Sequence, residues 1–433
     1  METAGAPEQA PAGGVGWAIV AVLAIAASMR GIFNDFVYDD IPIIRDNARL
    51  HAFDLAHVRE IFSHAYWPPP FVEQLYRPLT LIGLAAQYAI GAGSPLVFRV
   101  VSYALYAAAA ILVYRLATRV LDPWPSLGVA ALFAVHPVHV EAVALGVNQA
   151  ELIVALIALA MTTSYIDWRR SEMGSIRGRQ WALLAGLYAI ATLVKESGLV
   201  LPFFLLAADV TILRARESRT LARADVGGYA LLAAVAAASI ALRFAVAGSP
   251  AFAVVPAAEL RGLGVVGRLG VMLHVVPMWL RLLVWPQHLQ VDFAPGEIVS
   301  GGTVEAAFGL LILFGFAGAI VSALRRDGGL TFGLLWMAIA LVPVSNILPT
   351  GVILGERTLF LPSVGFMLAV GAAAQRWLDK PATPEKWRRY ALGGACALLV
   401  VLGLLRSAGR QAVWNSQHVR MNRSSAPVGT PTP

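Results

Sequence analysis

The chain has 433 residues, of which 58% are hydrophobic and only 14% are charged. A soluble domain carries about 25% charged residues, so this composition excludes an ordinary soluble fold. The net charge of +7 does not indicate nucleic-acid binding, because most Arg and Lys residues lie in short links between apolar runs. These long apolar runs predict an all-α polytopic membrane protein, since a membrane barrel would show alternation instead.

Two further features narrow the class. The single cysteine, Cys396, excludes a disulfide within the chain and a cysteine-based metal site. The N-terminus lacks the basic residues of a signal peptide and carries Glu2 and Glu8 there instead. We therefore interpret the first apolar run as a retained membrane span, with cleavage at the Ala-rich residues 24–27 as the alternative.

Apolar runs suited to membrane crossing follow one another along the chain. A crossing helix needs about 20 apolar residues, and we predict about eleven such spans. We split the stretch 181–213 at Lys195, because as one helix it would be about 50 Å long. The predicted spans are 15–31, 95–115, 124–144, 149–167, 181–195, 197–213, 226–247, 303–324, 329–346, 357–377 and 389–408.

The distribution of basic residues predicts the orientation of the spans. Alternate links are rich in Arg and Lys and are expected in the cytoplasm, whereas 145–148, 286–302 and 347–356 contain neither residue. Two apolar segments, 78–92 and 262–285, would break this alternation if they crossed the membrane. Treating both as interfacial helices gives a cytoplasmic N-terminus and an external C-terminus.

The segment 262–285 has a second reason to lie at the membrane surface. It contains Arg268, His274 and Arg281, with Arg261 just before it, and this spacing predicts one polar stripe on a helix. The stripe either binds lipid phosphates or anchors the helix to headgroups.

We predict one multi-span membrane domain over residues 1–409. It includes a long first external loop, 32–94, that carries the proline-rich sequence Trp67-Pro68-Pro69-Pro70. Residues 410–433 form a polar C-terminal tail, and its composition predicts disorder over 422–433.

Adjacent carboxylates follow the first span, at Asp39 and Asp40. Such a pair can hold a divalent cation, or one member can take a proton from a hydroxyl while the other positions it. The alternative is a solvated loop turn.

A second polar cluster lies inside an apolar run, at His136, His139 and Glu141. Ionisable groups at membrane depth are costly and usually face a polar cavity, so we predict that they line one. A zinc site lacks obvious further ligands. The other interpretation is a buried hydrogen-bonding cluster between helices.

Two more clusters lie at the outer ends of predicted spans, Lys195-Glu196 and the segment 345–357 with Glu356-Arg357. Lys195 and Arg357 suit a phosphate ligand, which Arg can bind through two parallel hydrogen bonds. Alternatively, each cation pairs with its neighbouring glutamate. Under the predicted topology all four clusters lie on the external side.

In sequence order, these motifs resemble those of the transmembrane O-mannosyltransferases with TPR repeats that act on cadherins, and their bacterial relatives. The resemblance covers nearly all of residues 17–415. It is carried by Phe-Val-Tyr-Asp-Asp at 36–40, Tyr-Arg-Pro-Leu-Thr at 76–80, the run 131–143, Lys-Glu at 195–196 and the block 346–366.

This resemblance implies a GT-C-like membrane glycosyltransferase that inverts the sugar configuration. Its donor would be a polyprenyl- or dolichyl-phosphate sugar, and its acceptor a hydroxyl on a protein or glycan. It implies Asp39 or Asp40 as the catalytic carboxylate. The residues implied for binding donor phosphate or sugar are Arg77, His136, His139, Glu141, Lys195, Glu196, Glu356 and Arg357.

Several points stay open at this stage. A divalent metal is possible, with Asp39 and Asp40 as its ligands. The expected location is the bacterial inner membrane with the site facing the periplasm, or the endoplasmic reticulum if the protein is eukaryotic. Because the sequence stops where the relatives continue into TPR repeats, a protein acceptor is not fixed. The alternatives are a transporter or flippase for lipid-linked sugars and a non-catalytic scaffold.

Overall fold

A computed structural model describes residues 13–71, 75–171, 176–213, 223–248, 256–290, 293, 303–348, 350–380 and 385–415. Every regular element within these ranges is helical. The predicted disorder at 422–433 lies outside them. The α-helices are α1 Gly13–Ser28, α2 Leu55–Ser63, α3 Pro78–Gly91, α4 Pro95–Ala117, α5 Pro123–Ala134, α6 Val140–Ala144, α7 Gln149–Arg170, α8 Gly178–Val194, α9 Leu201–Val210, α10 Arg223–Ala247, α11 Val265–Val284, α12 Thr303–Ala323, α13 Gly328–Leu341, α14 Phe360–Leu378 and α15 Glu385–Arg410.

The helices confirm an integral membrane protein. In the described part of the chain, eight helices are long and apolar enough to cross a membrane, and α5 with α6 forms a ninth candidate bent by 46°. The predicted number of about eleven is not confirmed. The predicted spans 181–195, 197–213 and 329–346 are the shorter helices α8, α9 and α13.

Local sequence signals set several helix boundaries. Three helices begin with proline at their first position, where the missing N–H costs nothing: Pro78, Pro95 and Pro123. Asp327 caps α13 by accepting a hydrogen bond of 2.8 Å from the Leu330 N–H. The predicted break at Lys195 is confirmed, since a 3₁₀ turn over Glu196–Val200 separates α8 from α9.

Small residues allow α13 and α14 to pack closely. A Cβ atom on Gly365 would lie 2.5 Å from the Gly333 carbonyl oxygen, so only glycine permits this crossing. Close backbone approach through small residues is the usual way for helices to associate in lipid. Nearby, Trp336 of α13 stacks on Phe204 of α9 at 3.9 Å between ring centroids. This contact joins α9 to the same core.

Helix α11 satisfies the length and composition of a span, yet both of its ends contact the same end of the bundle. Near its start, Arg268 Nε donates to the Asn346 carbonyl at 3.1 Å. At its end, the Leu283 carbonyl accepts from His136 Nε2 at 3.0 Å. Asn346 lies in the loop after α13, and His136 lies at the break between α5 and α6. A 20-residue helix along the bundle axis would separate its ends by about 30 Å, so these contacts support the predicted interfacial position, which remains a prediction.

The stripe predicted on α11 is divided in the structure. Arg281 is exposed, whereas Arg268 is turned towards the loop after α13 and also donates to the Ile347 carbonyl at 2.9 Å. Arg268 therefore ties α11 to a neighbouring loop, and the four basic residues do not form one continuous surface.

Candidate active site

A cavity of about 880 Å³ opens where the long loop 32–94 meets the breaks between helices. Its size is that of a small-molecule site. Residues from three of the four predicted clusters line it, although they are up to 318 positions apart (357 − 39). The charged residues that line the cavity are Asp39, Asp46, Arg77, Glu151, Lys195, Glu196 and Arg357.

Asp39 presents its carboxylate to the cavity. Within the described residues this carboxylate has no hydrogen-bond or ion-pair partner. Burial raises its pKa to about 6, while the nearby Arg357 acts in the opposite direction. Asp39 is thus an uncommitted carboxylate whose pKa lies close to physiological pH, which suits a general base.

Asp40 has different surroundings from its neighbour. Its side chain is fully buried and accepts hydrogen bonds from the backbone N–H groups of Gly146 and Val147 at 3.0 and 2.9 Å. Arg99 lies 3.5 Å from the same carboxylate. Asp40 does not line the cavity. It fastens the loop after α1 to the turn before α7 and so fixes the position of Asp39.

Arg357 is held in place by Glu141. The Arg357 backbone N–H donates to Glu141 Oε2 at 2.8 Å, and the guanidinium Nη1 donates to the other carboxylate oxygen. Glu141 is fully buried, whereas Arg357 reaches the cavity. Glu141 is therefore a support for Arg357 and does not itself line the cavity.

Lys195 lines the cavity together with Glu151 of α7, and the two side chains form an ion pair. Glu151 was not among the predicted site residues. It lies in the first turn of an apolar helix, where a charge at membrane depth marks a functional position. That signal was present in the sequence.

Glu196 joins two arginines. It accepts hydrogen bonds from Arg77 at 2.8 and 3.0 Å and from Arg243 Nη1 at 2.9 Å. Burial alone would raise the pKa of Glu196, but the two guanidinium groups hold it at about 2. Arg243 also donates to the Tyr76 carbonyl at 2.8 Å. Sequence reasoning missed Arg243, although it is an isolated charge inside the apolar helix α10.

His136 and His139, predicted to line an active-site cavity, are not among the residues that line this one. His139 hydrogen-bonds to the Tyr106 hydroxyl at 3.0 Å and to Ser363 Oγ at 2.8 Å. His136 bonds to the carbonyl of Leu283. Both are members of a buried cluster between helices, the second interpretation offered by the sequence.

Glu356 is also absent from the cavity wall. It is fully buried and pairs with Arg410 at 3.3 Å. Asn346 has a structural role as well: its Oδ1 accepts hydrogen bonds of 2.9 Å from the N–H and hydroxyl of Thr350. This contact shapes the loop that carries the cavity wall at 350–353.

The cavity has aromatic and aliphatic walls around its charged floor. One wall comes from the proline-rich part of the first external loop, where Trp67 packs against Tyr66 and Phe71 with centroid distances of 6.0 and 5.4 Å. Pro343 and Val344, in the turn after α13, also line the cavity.

The described residues do not fit a metal bound between Asp39 and Asp40. No group of three His, Cys, Asp or Glu side chains there is arranged to hold a metal ion. The Asp40 carboxylate is already committed to two backbone N–H groups. The residue acting most strongly on Asp39 is a cation, Arg357. We therefore derive no chemical step through a metal.

The combination of a multi-helix membrane bundle and a charged cavity at its loop-bearing end is that of a GT-C-type fold, as predicted. A solved structure with this fold is the archaeal oligosaccharyltransferase AglB from Archaeoglobus fulgidus, in complex with an inhibitory peptide and a dolichol-phosphate. It superposes with a TM-score of 0.51 at 14% sequence identity, covering 96% of this chain and 58% of that one.

Relatives in sequence confirm the resemblance drawn from the motifs. The chain is 26% identical to the protein O-mannosyl-transferase TMTC3 of Mus musculus, covering 94% of this chain and 47% of the relative. It is 28% identical to the human protein O-mannosyl-transferase TMTC4, covering 93% and 60% respectively. The chain thus spans about half the length of these curated relatives. No family model matches the sequence.

Proposed function

We propose that this protein is a membrane glycosyltransferase that moves a sugar from a polyprenyl-phosphate donor to an acceptor hydroxyl. The single observation that carries the proposal is the placement of the Asp39 carboxylate, which has no partner among the described residues, in one cavity with Lys195 and Arg357. Similar sequences are named protein O-mannosyl-transferases, and the AglB structure contains a dolichol-phosphate. A protein hydroxyl as acceptor and mannose as the sugar are the specific candidates that follow.

The reaction balances with the residues present. The acceptor O–H gives its proton to Asp39, and its oxygen attacks the anomeric carbon from the face opposite the phosphate. The new C–O bond forms as the old bond to the phosphate oxygen breaks, so the configuration inverts. The departing phosphate gains one negative charge, which Lys195 and Arg357 stabilise more strongly than they stabilise the donor.

The cations must accept a phosphate although each already has a carboxylate partner. Glu141 accepts hydrogen bonds from the backbone N–H and Nη1 of Arg357. In the described part of the chain, no hydrogen bond uses Nε or Nη2 of Arg357. Lys195 uses one of its three N–H groups for Glu151. Both cations therefore keep donors for the ligand while their positions are fixed in advance.

The aliphatic wall offers a route for the lipid tail of the donor. Pro343 and Val344 line the cavity, and the neighbouring Val342, Ile347 and Leu348 are exposed on the outside of the bundle. A polyprenyl chain could leave the cavity beside α13 and remain in lipid. The proline-rich residues 68–70 also line the cavity, and we assign this part to the acceptor. We place the site on the external face, periplasmic in a bacterium and lumenal in the endoplasmic reticulum.

The test is a transfer assay with purified protein, radiolabelled polyprenyl-phosphate mannose and hydroxyl-bearing peptides. We expect transfer by the wild type and a loss of about 10²–10⁴-fold in Asp39→Asn. Asp167→Asn is the matched control, because Asp167 pairs with Arg119 at the other end of α7. Movement of the lipid-linked sugar across the membrane without transfer, retained in Asp39→Asn, would instead establish a flippase.

A further inference from the structure

Arg357 lies between two carboxylates but bonds to only one of them. Glu141 accepts hydrogen bonds from both the backbone and the side chain of Arg357. Asp39 is the other carboxylate, and Arg357 is the charge that acts on it most strongly. Even so, no ion pair within 4.0 Å joins Asp39 to any cation in the described ranges.

The alternative arrangement, with Arg357 turned onto Asp39, would disable the site. A bidentate guanidinium–carboxylate pair occupies the carboxylate oxygens and favours their charged form. Asp39 would then be a poor proton acceptor, and Arg357 would be withdrawn from the phosphate.

Building on the proposed function, in which Asp39 is the base, we propose that Glu141 is a positioning residue that keeps Arg357 away from Asp39. The Arg357 backbone N–H fixes one oxygen of Glu141, and this bond places the other oxygen beside Nη1. Because Glu141 is fully buried, losing its cation would leave an uncompensated buried charge, which is strongly unfavourable. Arg357 is therefore retained by Glu141 and presents its remaining N–H groups to the cavity.

The other charged groups around Asp39 have separate partners. Asp40 is bound to backbone N–H groups and to Arg99. Arg77 is bound to Glu196 and lies 5.0 Å from the ring centre of Tyr66. These contacts do not involve the Glu141 carboxylate, so a substitution there leaves them in place. The Glu141 charge itself also raises the pKa of Asp39, so a variant that keeps this charge is needed to isolate the competition for Arg357.

The pH dependence of sugar transfer tests the proposal. In the wild type we expect the rate to rise with pH as Asp39 loses its proton. In Glu141→Gln, Arg357 turns to Asp39 and the negative charge of Glu141 is lost as well. Both changes lower the pKa of Asp39, so the midpoint should move down by about one pH unit or more, and the plateau rate should fall at least tenfold. In Arg357→Gln, Asp39 loses its cation and keeps Glu141 nearby, so the midpoint should move up.

A conservative variant guards against misfolding. Glu141→Asp keeps the charge but is too short to hold both contacts, so its midpoint should move down by a smaller amount. Asp167→Asn should leave the midpoint unchanged, since Asp167 lies 16 residues beyond Glu151 on α7, about 24 Å away.

The outcomes separate the two proposals. A lower rate with an unmoved midpoint in Glu141→Asp, which keeps the charge, means that Glu141 is merely structural and overturns the inference. If Asp39→Asn retains both the rate and its pH dependence, Asp39 is not the base, and the proposed function fails first.

Discussion

Lys195 forms its ion pair with Glu151, 44 positions earlier in the chain, while the adjacent Glu196 binds Arg77 and Arg243. Neighbours in sequence thus belong to two separate charge clusters. One consists of Lys195 and Glu151 and the other of Glu196 and its two arginines. Each cluster predicts its own response to substitution.

The Lys195–Glu151 pair should separate stability from function. Lys195→Met alone leaves the largely buried carboxylate of Glu151 without its cation, and we expect a loss of about 3–5 kcal/mol in unfolding free energy. The double variant Lys195→Met with Glu151→Leu removes both charges and should recover the wild-type melting temperature. It should still bind the phosphate donor at least tenfold more weakly. Thermal unfolding in detergent and donor titration measure the two effects, and wild-type donor affinity in the double variant would exclude Lys195 from the phosphate site.

Asp39→Asn should stabilise the protein at neutral pH. The folded pKa of Asp39, about 6, lies above its ordinary value of 3.8. The charged carboxylate therefore lowers the free energy of unfolding as pH rises from about 4 to 6. The total loss at higher pH is on the order of 3 kcal/mol. The variant should melt at a higher temperature than the wild type at pH 7.5, and the difference should vanish near pH 4. A variant that is less stable at pH 7.5 would contradict the pKa assignment.

Asp40→Asn should behave in the opposite way to its neighbour. Each oxygen of the Asp40 carboxylate accepts a hydrogen bond from one backbone N–H group. An Asn side chain has only one oxygen, so its NH₂ group would face the other N–H group. Arg99 would also lose its buried counter-ion. We expect about 3–5 kcal/mol of destabilisation and poor recovery from membranes. Expression and melting temperature check this, with Asp46→Asn as the control because Asp46 is exposed. Normal stability in Asp40→Asn would show that the carboxylate is not needed as an anchor.

The cluster around Glu196 should show coupling between its arginines. Arg77→Gln and Arg243→Gln each leave Glu196 with one cation, so each should cost a moderate amount of stability. The double variant leaves Glu196 without a cation, and its loss should exceed the sum of the single losses by about 0.5–3 kcal/mol. A double-mutant cycle measured by thermal unfolding gives this value. Strict additivity would mean that Glu196 does not link the two arginines.

Much of the fold follows from the sequence because membrane insertion depends on local composition. The break at Lys195 was predicted because the stretch 181–213 is too long for one crossing and is interrupted by Lys195, Glu196, Gly198 and Pro202. The total number of spans was not confirmed, since short helices such as α8 and α13 do not reach the length that a single crossing requires. Packing against neighbouring helices decides the position of such short helices in the membrane. A run of apolar residues in the sequence does not reveal that packing.

The site was predicted in part for a related reason. Charged residues at helix ends identified Asp39, Lys195 and Arg357, all of which line the cavity. Their partners could not be read from spacing, because Glu151 and Glu141 come from other helices. The two histidines show the limit of the argument from membrane depth: a buried polar group can be satisfied by another helix as well as by a cavity.

The pairing of Glu141 with Arg357 spans 216 residues of chain, and this separation affects biosynthesis. At about 5–20 residues per second, Arg357 emerges about 10–40 s after Glu141. Throughout that interval the nascent chain holds a carboxylate inside an apolar segment without its cation. The partly made protein therefore cannot contain the finished site, and the lifetime of the incomplete chain gives membrane quality control a period in which to recognise Glu141 as unpaired.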